Sequence, residues 1–190
     1  MELLKKRILQ DGTVRPGNIL KVDSFLNHQV DPLLLKSISE EFIKLFKDVS
    51  FTKILTIESS GIAIASIVAL ELGIPLIFAK KTESKNLDGD VFTSAVESYT
   101  RNKAYTIMTA KRFLLPSDTV LIIDDFLASG EALNGLLNIL FQSGATCGGI
   151  GVVIEKGFQG GGDSLREKGY PLKSLVIIDK MDNDNINFRN

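Results

Sequence analysis

The stretch from Val120 to Ala132, VLIIDDFLASGEA, constrains the fold more than any other part of the chain. Val120 to Ile123 is a continuous, mostly β-branched apolar run following Pro116, Ser117 and Asp118, the pattern of a strand buried on both faces of a parallel sheet. Asp124 and Asp125 come at its carboxyl end, where adjacent carboxylates repel each other and are costly unless a cation or hydrogen-bond donor meets them. Ala128, Ser129 and Gly130 are small and leave backbone N–H groups uncovered, and Ala132 to Leu140 has helical periodicity. Strand, acid pair, small-residue loop and helix amino terminus together make a site for a phosphorylated sugar. The loop N–H groups and helix dipole take the phosphate, and the acids take the hydroxyls. An acid pair that merely caps the following helix is the competing reading. It fits less well, because the helix is expected to begin near Ser129 or Gly130, several residues beyond the acids.

Other segments supply the layers around this strand. Leu3 to Leu9 has helical spacing, with Leu4, Ile8 and the flanking Leu3 and Leu9 on one side, and it ends near Gly12. Ile19 to Val22 reads as a brief strand and Asp23 to Asp31 as a polar-aromatic loop, with Asp31 capping a helix that starts at Pro32. From Lys53 the order is strand, turn, helix, strand: Ile54 to Ile57, Glu58 to Gly61, Ile62 to Leu72 ended by Gly73, then Pro75 to Ala79. Such a βαβ unit is parallel and right-handed almost by rule. Its turn, with Ser59 and Ser60, is either an ordinary connection or a second anion-binding loop. Lys80 and Lys81 follow the second strand, either as solvated surface or as counter-charges to an anion. Thr82 to Lys111 reads as two strands around a loop, with Arg101 and Lys103 bringing charge. Gly148 to Ile154 is a further buried strand, Gln159 to Gly162 a flexible turn, Asp163 the cap of a short helix, and Ser174 to Ile178 the last strand before a loose polar tail.

The chain of 190 residues suits one domain. A net charge of −1 offers nucleic acid no global attraction, so an anionic ligand has to be met locally. The single cysteine, Cys147, excludes an internal disulfide and reads as a buried thiol; the single histidine, His28, has no partners for a familiar metal set and reads as structural. Lys5-Lys6-Arg7 is followed by Asp11 and Gly12 rather than a long apolar stretch, so no secretory leader and a cytoplasmic protein are expected.

Four apolar residues, two acids, two apolar residues, then a small residue, Ser and Gly: Val120 to Gly130 resembles the signature of the type I phosphoribosyltransferases. The segments from Lys21 to Pro32, Thr56 to Gly61, Ile122 to Ala128 and Val153 to Lys156 extend the likeness over nearly the whole chain, toward the bacterial xanthine phosphoribosyltransferases. The resemblance implies an α/β fold with a mostly parallel sheet flanked by helices, in one domain over 1–190. Residues 1–35 would form a hood over the base site and roughly 36–180 the core. It implies transfer of a phosphoribosyl group from phosphoribosyl pyrophosphate to xanthine in purine salvage, with Mg²⁺ accompanying the pyrophosphate and no dedicated metal cage. Asp124 and Asp125 would hold the ribose hydroxyls and stabilise the oxocarbenium-like centre, and Ala128, Ser129, Gly130, Glu131 and Ala132 the 5′-phosphate. Ala132 departs from the Thr found in many members. Ser59, Ser60 and Lys81 would meet the pyrophosphate, and Leu20, Asn27 and Lys156 the base, with Phe126 or Phe158 stacking on it. Lysine donors and an Asn amide suit the carbonyls of xanthine, whereas the amino group of adenine would leave donors facing donors, at about 1–3 kcal/mol. The resemblance also implies a homodimer that sometimes lends Lys81 across the interface. Alternatives are the same chemistry on guanine, hypoxanthine or adenine, or a regulator that senses phosphoribosyl pyrophosphate without catalysis.

Overall fold

The computed structural model describes residues 1–81, 89–98, 103–182 and 185–189. Helix α1 (Glu2–Asp11) leads into the hairpin β1 (Thr13–Arg15) and β2 (Ile19–Lys21), a π-helical turn at Asp23–Asn27, and α2 (Pro32–Leu45). Then come β3 (Lys53–Ile57), α3 (Ser60–Leu72), β4 (Leu76–Ala79) and the hairpin β5 (Val91–Ser98) and β6 (Lys103–Ala110). The chain closes with β7 (Thr119–Leu127), α4 (Glu131–Ser143), β8 (Thr146–Lys156), α5 (Gly161–Glu167), β9 (Leu172–Met181) and β10 (Ile186–Phe188). Six strands form one sheet in the order β10-β9-β8-β7-β3-β4, parallel except for β10. Among the described residues, no helix is long and apolar enough to cross a membrane.

The alternation of β7 builds both hydrophobic layers. Leu121 and Ile123 pack into the cluster with α1, α2, α3 and the amino-terminal segment, while Val120 and Ile122 pack into the cluster with α4 and the β5–β6 hairpin. Helix α2 starts where Pro32 pre-sets the backbone and the Asp31 carboxylate accepts the N–H groups of Leu33 and Leu34 at 3.1 and 3.2 Å. It lies close on the sheet because β8 has glycines beneath it. A Cβ on Gly149 would stand 2.8 Å from Phe46 Cε1, and one on Gly151 would stand 2.8 Å from Phe42 Cε1 and 2.8 Å from Ile123 Cδ1. At the amino end of β7, buried Asp118 accepts from Thr52 Oγ1 at 2.8 Å, the Leu115 N–H at 2.8 Å and pairs with Lys53 at 2.9 Å. Burial would push this acid upward, but those donors outweigh it and hold the carboxyl below its ordinary range.

Several expectations need correction. Leu4 and Ile8 are buried but Leu3 and Leu9 are exposed, so α1 contributes a narrower stripe than its spacing suggested. The segment after β2 is a π-helical turn that buries Phe25 and Leu26 rather than a plain loop. Asp163 does not cap α5: Gly160 precedes the helix, and the Asp163 carboxylate accepts from Arg166 and Arg189 instead. The tail is not loose, since β9 runs on to Met181, β10 pairs with it, and Arg189 Nε bonds Asp179 at 2.9 Å. His28 is exposed and joins neither cluster. Cys147 is partly buried, and burial pushes its thiol up to about 11. Arg101 and the Lys103 side chain lie outside the described residues.

The close seat of α2 gives a test: Gly151→Ala should overpack the helix–sheet contact and lower stability by about 1–3 kcal/mol in a denaturant titration. An unchanged midpoint would mean that the helix does not rest on that backbone.

Candidate active site

Two strands part at the centre of the sheet. β3 and β7 are in register only from Lys53–Val120 to Leu55–Ile122, although both run further. β7 instead stays paired with β8 through Asp124–Val152, Phe126–Ile154 and Leu127–Glu155. The crevice between β3 and β7 lies where the sheet's chain order reverses, since β3 leads outward to β4 and β7 leads the other way to β8, the place where open α/β sheets bind ligands. Asp124 and Asp125 are therefore residues of the strand itself rather than of the loop after it.

Both acids are buried, at 3% and 8% exposure, yet their surroundings differ. Asp124 Oδ1 accepts the Asp125 N–H at 3.0 Å, and burial, then the neighbouring Asp125 charge, push its carboxyl well above the ordinary value. Asp125 Oδ2 accepts from Asn27 Nδ2 at 3.1 Å, a bond that brings the π-helical turn down onto the acid pair. Next, Gly130 takes φ 91° and opens α4, with no side-chain cap on the helix's first N–H groups. That left-handed turn suits glycine, and the uncapped N–H groups with the helix dipole offer an anion a ready seat. A cavity of about 430 Å³ lies over this loop, lined by Ala128 to Ala132 together with Ile19, Tyr105, Phe126, Lys156 and others. Lys156 Nζ donates to the Asn18 carbonyl at 3.0 Å and stands 5.7 Å from the centre of the Phe126 ring. Burial lowers its pKa from the ordinary lysine value.

On the other side of the crevice, α3 begins at Ser60, and Ser59 precedes it without a side-chain cap bond. The Glu58–Ser59 peptide is cis. A Cβ on Gly61 would stand 3.4 Å from Asp124 Oδ1, so the first turn of α3 adjoins the acid. Glu58 Oε1 accepts the Lys81 N–H at 2.5 Å, and the Lys81 ammonium stands 5.2 Å from the centre of the Tyr105 ring. An anion loop, an acid pair and a cation thus surround one crevice.

Comparison with known proteins shows what this arrangement is. Residues 26–188 match the phosphoribosyl transferase domain. The chain belongs to the phosphoribosyltransferase family. It is 57% identical over 188 residues to the xanthine phosphoribosyltransferase of Ruminiclostridium cellulolyticum, covering 99% of each chain. To the xanthine phosphoribosyltransferase of Bifidobacterium adolescentis it is 52% identical over 192 residues, covering 100% of each. Among solved structures, the Giardia lamblia adenine phosphoribosyltransferase complexed with 9-deazaadenine gives a TM-score of 0.79 at 26% identity, over 93% of this chain and 98% of that one. The α/β sheet flanked by helices is therefore the phosphoribosyltransferase fold.

The phosphoribosyltransferase fold brings most of the sequence-predicted residues together. Ala128 to Ala132 and Lys156 share the cavity wall, and Asn27 and Asp125 are bonded. Leu20 is only 6% exposed and packs in the helix-side core, while its neighbour Ile19 faces the cavity. Of the two candidate aromatics, Phe126 lines the cavity and Phe158 does not. Tyr105 was not singled out from the sequence. A tyrosine on an alternating strand carries no mark of which face meets a ligand, and only the packing of the β5–β6 hairpin turns it inward. Burial, then the Asp124 charge, push its hydroxyl up from the ordinary value.

The raised pKa of Asp124 has a stability consequence. With the folded value above the ordinary 3.8, the native state holds the proton longer than the unfolded chain, so stability falls as pH climbs from about 4 through the folded value. Asp124→Asn removes that loss. Its thermal midpoint should match or exceed the wild type at pH 7, with an advantage that shrinks toward pH 4, while kcat/KM falls about hundredfold. A variant less stable at pH 7 than at pH 4, relative to wild type, would show that the carboxylate is favourably held in the empty site.

Proposed function

We infer that the protein transfers the 5-phosphoribosyl group of phosphoribosyl pyrophosphate to xanthine, giving xanthosine 5′-monophosphate and pyrophosphate, as a cytoplasmic enzyme of purine salvage. The observation that carries the base assignment is Lys156, an ammonium at the end of β8 that lines the same 430 Å³ cavity as Ala128 to Ala132. Full-length identities of 52–57% to xanthine enzymes support the same reading.

In the reaction the bond from the anomeric carbon to the pyrophosphate oxygen breaks, a ring nitrogen of the purine bonds to that carbon, and the proton that nitrogen gives up passes to the pyrophosphate or to solvent. The N–H groups of Ala128 to Ala132 hold the 5′-phosphate at the amino end of α4. Asp124 and Asp125 take the ribose hydroxyls and offset the positive charge that develops as the leaving group departs. Ser59, Ser60 and Lys81 flank the departing pyrophosphate, with Lys81 tied to that loop through Glu58. Among the described residues no cluster of three or more His, Cys, Asp or Glu side chains could hold a metal. Asp124 and Asp125 are hard oxygen donors of the kind Mg²⁺ takes and would lie beside a Mg²⁺ held mainly by substrate oxygens, which would neutralise leaving-group charge. On the base side Lys156 donates to a xanthine carbonyl, Phe126 offers a ring face, and Asn27 serves the base from the hood while bridging to Asp125. Leu20 supports the hood from beneath, with Ile19 as its cavity-facing neighbour. The working unit is inferred to be a homodimer; exposed Leu70 and Phe78, at 76% and 39%, leave apolar surface for a partner copy, and gel filtration tests it.

Adenine is the second reading, favoured by the Giardia likeness. Initial rates with xanthine, guanine, hypoxanthine and adenine decide, and a preference for adenine overturns the xanthine assignment. Lys156→Met should remove a charge-assisted hydrogen bond of about 1.5–3 kcal/mol, lowering kcat/KM for xanthine roughly ten- to hundredfold. Equal activity in the variant would place the ammonium outside base recognition.

A further inference from the structure

The three glycines before and within the first turn of α5 are held to glycine for different reasons. Gly160 has φ 75°. Gly161 presses on the back of the phosphate loop, where a Cβ would meet the Ala128 carbonyl oxygen and lie 2.7 Å from the Gly130 nitrogen. Gly162 faces the Glu155 carboxylate, where a Cβ would meet Oε1 and lie 2.9 Å from Oε2. The turn expected to be flexible is thus wedged between the loop Ala128 to Gly130 and the end of β8.

Glu155 is the anchor of this wedge. It is fully buried, and Arg166 of α5 grips it with both terminal nitrogens at 2.9 and 2.6 Å, while Ser174 Oγ donates at 2.5 Å. Strand alternation turns the next residue, Lys156, the other way into the cavity. Neither Glu155 nor Arg166 lines the cavity. Desolvation offsets most of the Coulomb gain of a buried ion pair, so the pair is a weak source of stability but a stiff, directional link through the planar guanidinium fork.

We propose that the Glu155–Arg166 pair is a positioning device for phosphoribosyl transfer: by locking α5 against both the end of β8 and the loop Ala128 to Gly130, it fixes the phosphate seat relative to the Lys156 ammonium. The proposal rests on the reading of these two groups as phosphate and base subsites. Arg166→Lys keeps the charge but loses the fork, and Glu155→Gln keeps the shape but loses the charge. Each should raise KM for both phosphoribosyl pyrophosphate and xanthine about tenfold, because small displacements of substrate-holding groups are costly. A merely structural pair would lower the thermal midpoint and the active fraction, and leave both KM values within about twofold of wild type, which overturns the proposal. Should Glu155→Gln fail to fold, Arg166→Lys gives the same reading. Calorimetry with phosphoribosyl pyrophosphate and Mg²⁺ on wild type and Arg166→Lys separates this from the choice of base. If the wild type does not turn over xanthine, the base assignment fails, yet a tenfold weaker donor affinity in the variant still upholds the positioning role and an unchanged affinity removes it.

Discussion

A carboxylate in the middle of a hydrophobic sheet is the constraint on which the rest of the structure turns. Asp124 lies inside β7, paired with β8 through Val152, at a level where β3 has already parted from β7. Desolvation and the neighbouring Asp125 both oppose its charge, so the native chain keeps an acid that its own surroundings disfavour. That cost makes chemical sense if a ligand brings what the protein lacks: hydroxyl donors and a developing positive charge. On the proposed reading, the acid pair serves the reacting sugar rather than the stability of the fold.

The crevice can hold such an acid only if its walls do not collapse inward. On one side the Glu58 carboxylate and the Lys81 N–H tie the α3 turn to the end of β4. On the other, Asn27 ties the amino-terminal segment to Asp125, and Lys156 ties the β1–β2 turn to β8 through the Asn18 carbonyl. Both of the latter bonds use groups assigned to substrate, so the hood is held down by the donors that a bound base would share. The amino-terminal segment is accordingly not a separate lobe: Leu20, Val22, Phe25 and Leu26 belong to the same buried cluster as α2 and α3.

How much of this was legible in the residues depends on the range of the forces involved. The β7 run, the Asp31 cap, Gly73 as a helix end and the βαβ order came from local chemistry, and the structure has them. What stayed hidden depends on partners distant in sequence. Asp163 looked like a cap because an acid commonly starts a helix, but Arg166 and Arg189 claim it. Gly160 to Gly162 looked flexible because glycine runs usually are, whereas Gly160 takes a left-handed φ of 75° and, at Gly161 and Gly162, the loop from Ala128 to Gly130 and Glu155 leave no room for a Cβ. The tail looked loose because it is polar, and only the free edge of β9 makes β10 a strand. In the site, the acid pair and the small-residue loop were legible from their spacing. The inward turn of Tyr105 and the exchange of Leu20 for Ile19 at the cavity wall were not, because a strand's sequence does not say which face its hairpin presents.

The two kinds of likeness point to different bases, and the geometry explains why. Backbone superposition aligns this chain with an adenine enzyme over 93% of its length, since such a comparison follows the course of the sheet and helices rather than the side chains they carry. On the proposed reading the base meets a few side chains, Lys156 at a strand end and Asn27 in the amino-terminal segment, whose exchange need move no strand. Overall shape is therefore nearly silent on the purine, while a single ammonium facing a carbonyl or an amino group is worth a hydrogen bond gained or a donor left unpaired. Discrimination of that size is large for catalysis and invisible to a fold comparison. Full-length sequence identity, which counts side chains, carries the information that the superposition discards.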